Sequence, residues 1–439
     1  MTPPRWRERT ASLLEWLTLA VACLTVAWGP LAQGSTFGWG LSGLTLMGCL
    51  TITLTLITLG VRGRVNITNP WWLGSALLFL GWIWLSTTWA PYQWEAHRWA
   101  GVWTAVIGTA VSLHLLTSTR ARQWVVLGSM VLTGSAALAL AYLQTQGTAV
   151  PGFEYYPGTG PELVTGPYFN PSHFSGYLII LAGLSTGLLL FTRLHLHSLA
   201  LIALLVALHW LNLKTDSSSI PAVLLATVTP LLVWVWTKDP VTGATLTALA
   251  LTVGIGGAAY FTTPDGQATF KANQEKLGIS RDWQSFIQQR QAVWRYGEDM
   301  WKQHPIQGVG IGQFQEQAVS YRKAEREVQT GMDSKKINYA HNDLLQIASE
   351  LGAIGVFLAL ATLILTVVSR GLPVTALVAI ALMPALLLAG VYDAHLSAIP
   401  GTAIAFTSLI ALAALRNPRK EVHRVPFEFH FNTKEIPGQ

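Results

Sequence analysis

Two side chains in this sequence have both the type and the setting to do chemistry, His341 and Arg290. His341-Asn342 closes a charged stretch and opens a long apolar one. Asn342 or Asp343 is therefore expected to cap a helix whose free N–H groups and positive dipole end open into the space that holds the imidazole. A histidine so placed can take the proton from an attacking hydroxyl or hold it by a hydrogen bond; the plain alternative is an interfacial histidine with no role. Arg290 recurs with Trp283, Ile287, Trp294, Gly297 and Trp301 at three- and four-residue spacing, which is one face of a helix. A guanidinium cannot shed its proton, so an apolar face holds it only where an anion or a π-face meets it. Arg290 thus marks an expected anion site. Arg295 lies about 100° round the same helix, within reach of Glu298 as an ordinary surface pair.

Other polar clusters accompany these two. Phe169-Asn170-Pro171-Ser172-His173-Phe174 leads into an apolar run, where Asn170 suits the cap position and Pro171 the first turn; His173 is not explained by capping. Lys214-Thr215-Asp216-Ser217-Ser218-Ser219 joins two apolar runs, and Tyr392-Asp393-Ala394-His395 ends another. Glu350 lies about 13 Å along its helix from His341 and near the opposite face, so it is expected to tie helices together. Between Arg290 and His341, the run His304-Pro305-Ile306-Gln307-Gly308-Val309-Gly310-Ile311-Gly312-Gln313-Phe314 breaks the helical pattern. No buried strand precedes its glycines, so they read as a tight turn that lets backbone pack closely rather than as a nucleotide loop.

The elements that must position these residues are membrane helices. Of 439 residues 51% are hydrophobic and 11% charged, roughly half the charge of a soluble domain. Apolar runs fall near 12–30, 37–61, 71–90, 100–117, 124–144, 171–192, 198–213, 220–236, 244–262, 343–369, 372–392 and 401–415. The expected fold is an all-α polytopic membrane protein with about twelve transmembrane helices and one long helical loop, facing the periplasm or cell exterior, between helices nine and ten. Residues 1–262 would hold the first nine helices, 263–340 the loop, 341–415 the last three, and 416–439 a cytoplasmic tail.

Charge supports that topology. With Arg5, Arg7 and Arg9 inside, ahead of a retained first helix, the inner connections carry Arg62, Arg64, Arg120, Arg122, Arg193, Lys238 and Arg370, while the short outer ones carry only Arg98 and Lys214. The eleven basic residues of 263–340 are exempt, because long loops translocate regardless of charge. The net charge of +6 is thereby an orientation signal, and no nucleic-acid partner is expected. Cys23 and Cys49 lie inside apolar runs, which argues against a disulfide or a thiolate metal site. The outer acids Asp216, Asp333 and Asp393 are scattered, and no metal or other cofactor is expected. No repeat of 20 to 50 residues is visible.

His341-Asn342, nine residues, Gly352, two residues and Gly355 resemble the His-Asn-x9-Gly-x-x-Gly pattern of the O-antigen ligase and polymerase superfamily. Arg290-x-x-x-Trp294 followed by Pro305-x-x-Gly308-Val309-Gly310-x-Gly312-x-Phe314 is similar to the segment that precedes it there, and Asn170-Pro171-Ser172-His173-Phe174 to the family's Asn-Pro-Asn-His-Phe element. The resemblance implies a metal-independent, inverting membrane glycosyltransferase of the inner membrane, with its site on the periplasmic face. The donor would be a glycan on undecaprenyl pyrophosphate. The acceptor would be a sugar hydroxyl of a glycan or glycolipid: lipid A core for a ligase, another lipid-linked glycan for a polymerase. By that resemblance Arg290 takes the charge of the leaving pyrophosphate and His341 orients or deprotonates the acceptor, with Asn170, His173, Lys214, Arg98, Arg295, Asn342, Asp393 and His395 as substrate-binding candidates. Where the family has Ser-Arg this chain has Ser217-Ser218, so Lys214, one turn earlier, is the candidate replacement cation. A transporter is the rival reading, since twelve spans suit carriers, but the halves show no internal similarity and the polar clusters gather at one face. A scaffold for other polysaccharide-assembly proteins is the remaining alternative.

Overall fold

The computed structural model describes residues 5–148, 150–153, 163–192, 195–261, 263–265, 267–268, 283–321, 337–369, 373–415 and 423–426. Most of the expected tail 416–439, and the loop stretches 269–282 and 322–336 with Asp333, lie outside these. Each expected apolar run is a helix: α1 (Arg5–Leu31), α2 (Gly38–Arg62), α3 (Pro70–Ser86), α4 (Gln93–Leu116), α5 (Arg120–Thr145), α6 (Pro171–Phe191), α7 (His195–Leu213), α8 (Ile220–Lys238) and α9 (Pro240–Phe261). After the amphipathic α10 (Trp283–Gln303) come α11 (Asp343–Val367), α12 (Pro373–Tyr392) and α13 (Pro400–Ala413). Among the described residues nine helices are long and apolar enough to cross a bilayer; Pro70–Ser86, Pro240–Thr252 and Pro400–Ala413 are shorter apolar helices. The chain is an all-α polytopic membrane protein. Among the described residues there is also a small two-stranded sheet that the sequence pattern did not anticipate, β1 (Arg64–Ile67) antiparallel to β2 (His423–Pro426), with Arg64 opposite Pro426.

Sequence explains the packing. α6 is apolar on every side and is accordingly buried along almost its whole length, with α7, α8 and α12 around it. Lipid tails are as apolar as leucine, so association relies on close approach and polar contacts. Gly29 and Gly401 let α1 and α13 meet backbone to backbone. Hydroxyl pairs Thr18–Thr58 and Thr25–Thr51, each 2.9 Å, join α1 to α2, and each is worth about 0.6 kcal/mol. At the end of the bundle away from His341, the Glu15 carboxylate pairs with both Arg62 and Arg122.

Two departures from regular helix shape the site. α11 is broken at Gly352, whose φ of 66° and ψ of −168° are not helical. In an unbroken helix the amides of Ala353 and Ile354 would bond the carbonyls of Ser349 and Glu350. Here they donate to Pro305 (2.9 Å) and Ile306 (3.3 Å), while Ser349 and Glu350 accept from Val309 (2.9 Å) and Gly310 (2.8 Å). The glycine-rich loop is thus inserted into the break, and the exchange gives partners to the four amides and four carbonyls that the broken helix and the loop would otherwise leave unpaired. A Cβ at Gly352 would overlap the Ile306 carbonyl, and one at Gly308 the Glu350 backbone. The second departure is the α12–α13 connection. α13 has 14 residues, about 21 Å, short of a 30 Å hydrocarbon core. The connection before it is pinned by the Asp343 carboxylate, which accepts from the amides of Leu396 (2.9 Å) and Ser397 (2.7 Å) and from the Ser397 hydroxyl (2.7 Å).

Candidate active site

Asn342 is the cap of α11: its side chain accepts from the Leu345 amide at 2.9 Å. That extended cap turns the chain so sharply that His341 sits in the left-handed region, at φ 50°, a conformation that costs on the order of 1 kcal/mol for a side chain of this kind. Three contacts hold it there. The Gln346 side-chain oxygen accepts from the Ala340 amide at 2.6 Å, the His341 carbonyl accepts from the Trp294 indole at 3.3 Å, and the imidazole Nδ1 donates to Asp393 Oδ1 at 3.0 Å.

The last contact fixes the chemistry. Asp393 is 2% exposed at its side chain, and burial alone would push its carboxyl up. The hydrogen bond from His341, with the charges of His341, His395 and Arg290, outweighs burial and holds it well below the usual carboxylate range. An ionised carboxylate can only accept, so His341 carries its proton on Nδ1 and leaves Nε2 as a lone-pair base. Burial, then the neighbouring Arg290 charge, lower the imidazole from its ordinary value against the opposing pull of Asp393. His341 is therefore neutral near pH 7, as a base must be.

Arg290 reaches the same junction from α10. Its Nε donates to the Tyr392 carbonyl at 3.0 Å, one residue before Asp393, and the guanidinium lies 4.7 Å from the Phe286 ring centroid. Among the described residues its two Nη groups have no protein partner. The expected apolar stripe is displaced, however. Ile287 and Trp301 are 38% and 39% exposed, while Val293, Tyr296 and Met300 are buried in a small core with Val309, Phe314, Ile337 and Ala340. Arg290 is half-buried at the edge of that face, and α10 approaches α11 closely at Gly297, where a Cβ would press on Leu345. The expected Arg295–Glu298 pair is not formed: Glu298 pairs with Lys302 at 3.4 Å, one turn on, and Arg295 points outward.

His341 lines a polar cavity of about 590 Å³, within the range of small-molecule sites. Asn170, His173 and Arg98 line it as well. Asn170 caps α6, accepting from the Ser172 amide at 2.8 Å. His173 Nε2 hydrogen-bonds the Tyr339 hydroxyl at 2.7 Å, and the Tyr339 ring lies 4.2 Å from that of His341. His395 is fully buried, its Nε2 paired with the Ser219 hydroxyl at 2.8 Å. The buried atoms His173 Nδ1, His395 Nδ1 and Ser218 Oγ have no hydrogen-bond partner among the described residues. Lys214 is exposed on its loop and is not among the cavity's lining. Glu350 does not tie helices together as expected. Its carboxylate accepts from the Phe314 amide at 2.9 Å and so locks the glycine-rich loop. The sequence reading missed Tyr339, Trp99 and Glu316; Tyr339 alone had a signal, its place two residues before His341. Among the described residues no group of three His, Cys, Asp or Glu side chains could hold a metal ion.

The O-antigen ligase family model matches residues 177–360, a stretch that includes Lys214, Arg290, the glycine-rich loop, His341 and the α11 break. No curated protein matches the chain.

Proposed function

With residues 177–360 this chain carries the O-antigen ligase family region, and on that premise we propose that it is a glycosyltransferase that moves a glycan from undecaprenyl pyrophosphate to an acceptor sugar hydroxyl. The observation that carries the reading is the His341–Asp393 pair at 3.0 Å, with His341 on the wall of a polar cavity and Arg290 anchored one residue from Asp393. In the step itself, His341 Nε2 takes the proton of the acceptor hydroxyl as its oxygen attacks the anomeric carbon. The bond from that carbon to the phosphate oxygen breaks on the opposite face, so the configuration inverts. The pyrophosphate leaves with the electron pair, its charge met in a bidentate contact by the Nη groups of Arg290, which have no partner among the described residues.

In this reading the protein is an inner-membrane enzyme with both termini cytoplasmic and the His341 face periplasmic, where lipid-linked glycans are joined. The test is to incubate purified protein in lipid nanodiscs with lipid-pyrophosphate-linked glycan and glycolipid acceptor, with and without EDTA. Transfer is expected in both, since protein side chains supply the base and the charge. Loss of turnover in EDTA, restored by magnesium, would contradict the metal-free mechanism; no transfer under any condition would contradict the enzyme reading.

A further inference from the structure

Resting on that reading, the geometry points to a division of the site at His341: donor diphosphate binds at Arg290, and the 590 Å³ cavity receives an uncharged sugar of the acceptor. Arg290, Phe286, Tyr392 and Asp393 are not part of the cavity lining, whereas His341 and Tyr339 are. The cation on its described wall is Arg98, and Glu95 holds that guanidinium at 2.9 Å through Nε. Glu316 faces the same space with a neutral partner, the Gln315 amide at 3.0 Å. A phosphate entering here would meet carboxylates and, among the described residues, no unpaired guanidinium or ammonium, so like charges would disfavour it. An uncharged sugar would meet what it needs. Trp99, Phe37 and Phe169 contribute apolar ring surface to the wall for its C–H groups, and Gln315, Asn338 and Asn170 contribute polar side chains for its hydroxyls. The cavity therefore selects acceptors by the absence of charge where the reacting sugar sits, and Glu316 and Trp99 set that specificity.

The test uses full-length protein in nanodiscs with Cys49→Ser, since Cys49 is exposed, and one new thiol at a time: Glu316→Cys on the cavity wall or Ile287→Cys, one turn before Arg290. The probes are undecaprenyl pyrophosphate and the glycolipids of a source strain lacking this protein, the latter with and without enzymatic removal of phosphate. The dephosphorylated glycolipids at ten times their Kd are expected to slow maleimide labelling of Glu316→Cys by about tenfold; undecaprenyl pyrophosphate should instead slow labelling of Ile287→Cys. In transfer assays Trp99→Ala and Glu316→Lys should raise the KM of the dephosphorylated acceptor while the donor KM stays unchanged. Should Trp99→Ala fail to fold, Glu316→Lys and the labelling carry the test. Shielding of Glu316→Cys by the diphosphate, by glycolipid only with its phosphates intact, or by neither probe overturns the division. Absent transfer with the shielding pattern intact would sink the transfer reading alone.

Discussion

His341 can act as a base because its two ring nitrogens are not equivalent: Nδ1 is committed to a buried carboxylate at 3.0 Å, and Nε2 has no partner among the described residues. An amide in place of that carboxylate could donate to Nδ1 and drive the proton onto Nε2. Asp393→Asn is therefore expected to lower kcat by roughly a thousandfold or more, as when the orienting acid of a catalytic triad is so changed, with donor KM nearly unchanged. A steady-state comparison at matched protein stability checks this. The Arg290 charge is the second handle. It lies near enough to His341 to help lower the imidazole from its ordinary value, so the base is neutral across the physiological range and activity should fall only on the acid side, below the ordinary histidine range. Removing that charge favours the protonated ring, so the folded pKa rises. Arg290→Gln should thus move the acid limb of residual activity to higher pH as well as lowering kcat. A limb that stays put or moves to lower pH would show that the two groups are not coupled.

At the scale of elements, the site depends on an exchange of hydrogen bonds between the glycine-rich loop and the broken α11. Four backbone bonds cross between residues 305–310 and 349–354, and Glu350 adds a fifth through the Phe314 amide. Gln346, one turn before Glu350, holds the amide of Ala340 next to the base. The loop, the break and the catalytic turn are consequently one unit. Gly352→Ala would place a methyl group against the Ile306 carbonyl at a positive φ, which should cost on the order of 3 kcal/mol. A lower melting temperature in detergent, together with lost transfer, is the expected readout; an unchanged melting temperature would mean that the loop yields and the exchange is not a structural lock. Little of this unit was legible in the sequence. The glycines announced a close backbone approach, but an exchange of bonds between segments some forty residues apart leaves no periodicity to read. The stripe on α10 was misplaced in part: Gly297 is buried against Leu345 as the stripe implied, but Ile287 and Trp301 are half exposed while Val293, Tyr296 and Met300 fill the core.

For the whole molecule, the twelve apolar helices were legible because a bilayer demands runs of apolar residues of the right length, and the structure places a helix at every one. The Asn170 and Asn342 caps were legible from local chemistry, but the meeting of His341 with Asp393, 52 residues away, followed only from both lying at one end of the bundle. That shared end also carries the exposed Val319, and the far end carries Arg120. If the His341 face is periplasmic, a cysteine at Val319 should react with an impermeant thiol reagent in intact spheroplasts and one at Arg120 should react only after lysis; the reverse pattern would overturn the orientation. The central claim, that His341 activates the acceptor while Arg290 receives the leaving diphosphate, is tested most directly by His341→Ala in purified, folded protein. Transfer should be abolished while undecaprenyl-pyrophosphate-linked glycan still binds with close to wild-type affinity. Near-normal transfer by that variant, or loss of donor binding in step with transfer, would contradict it.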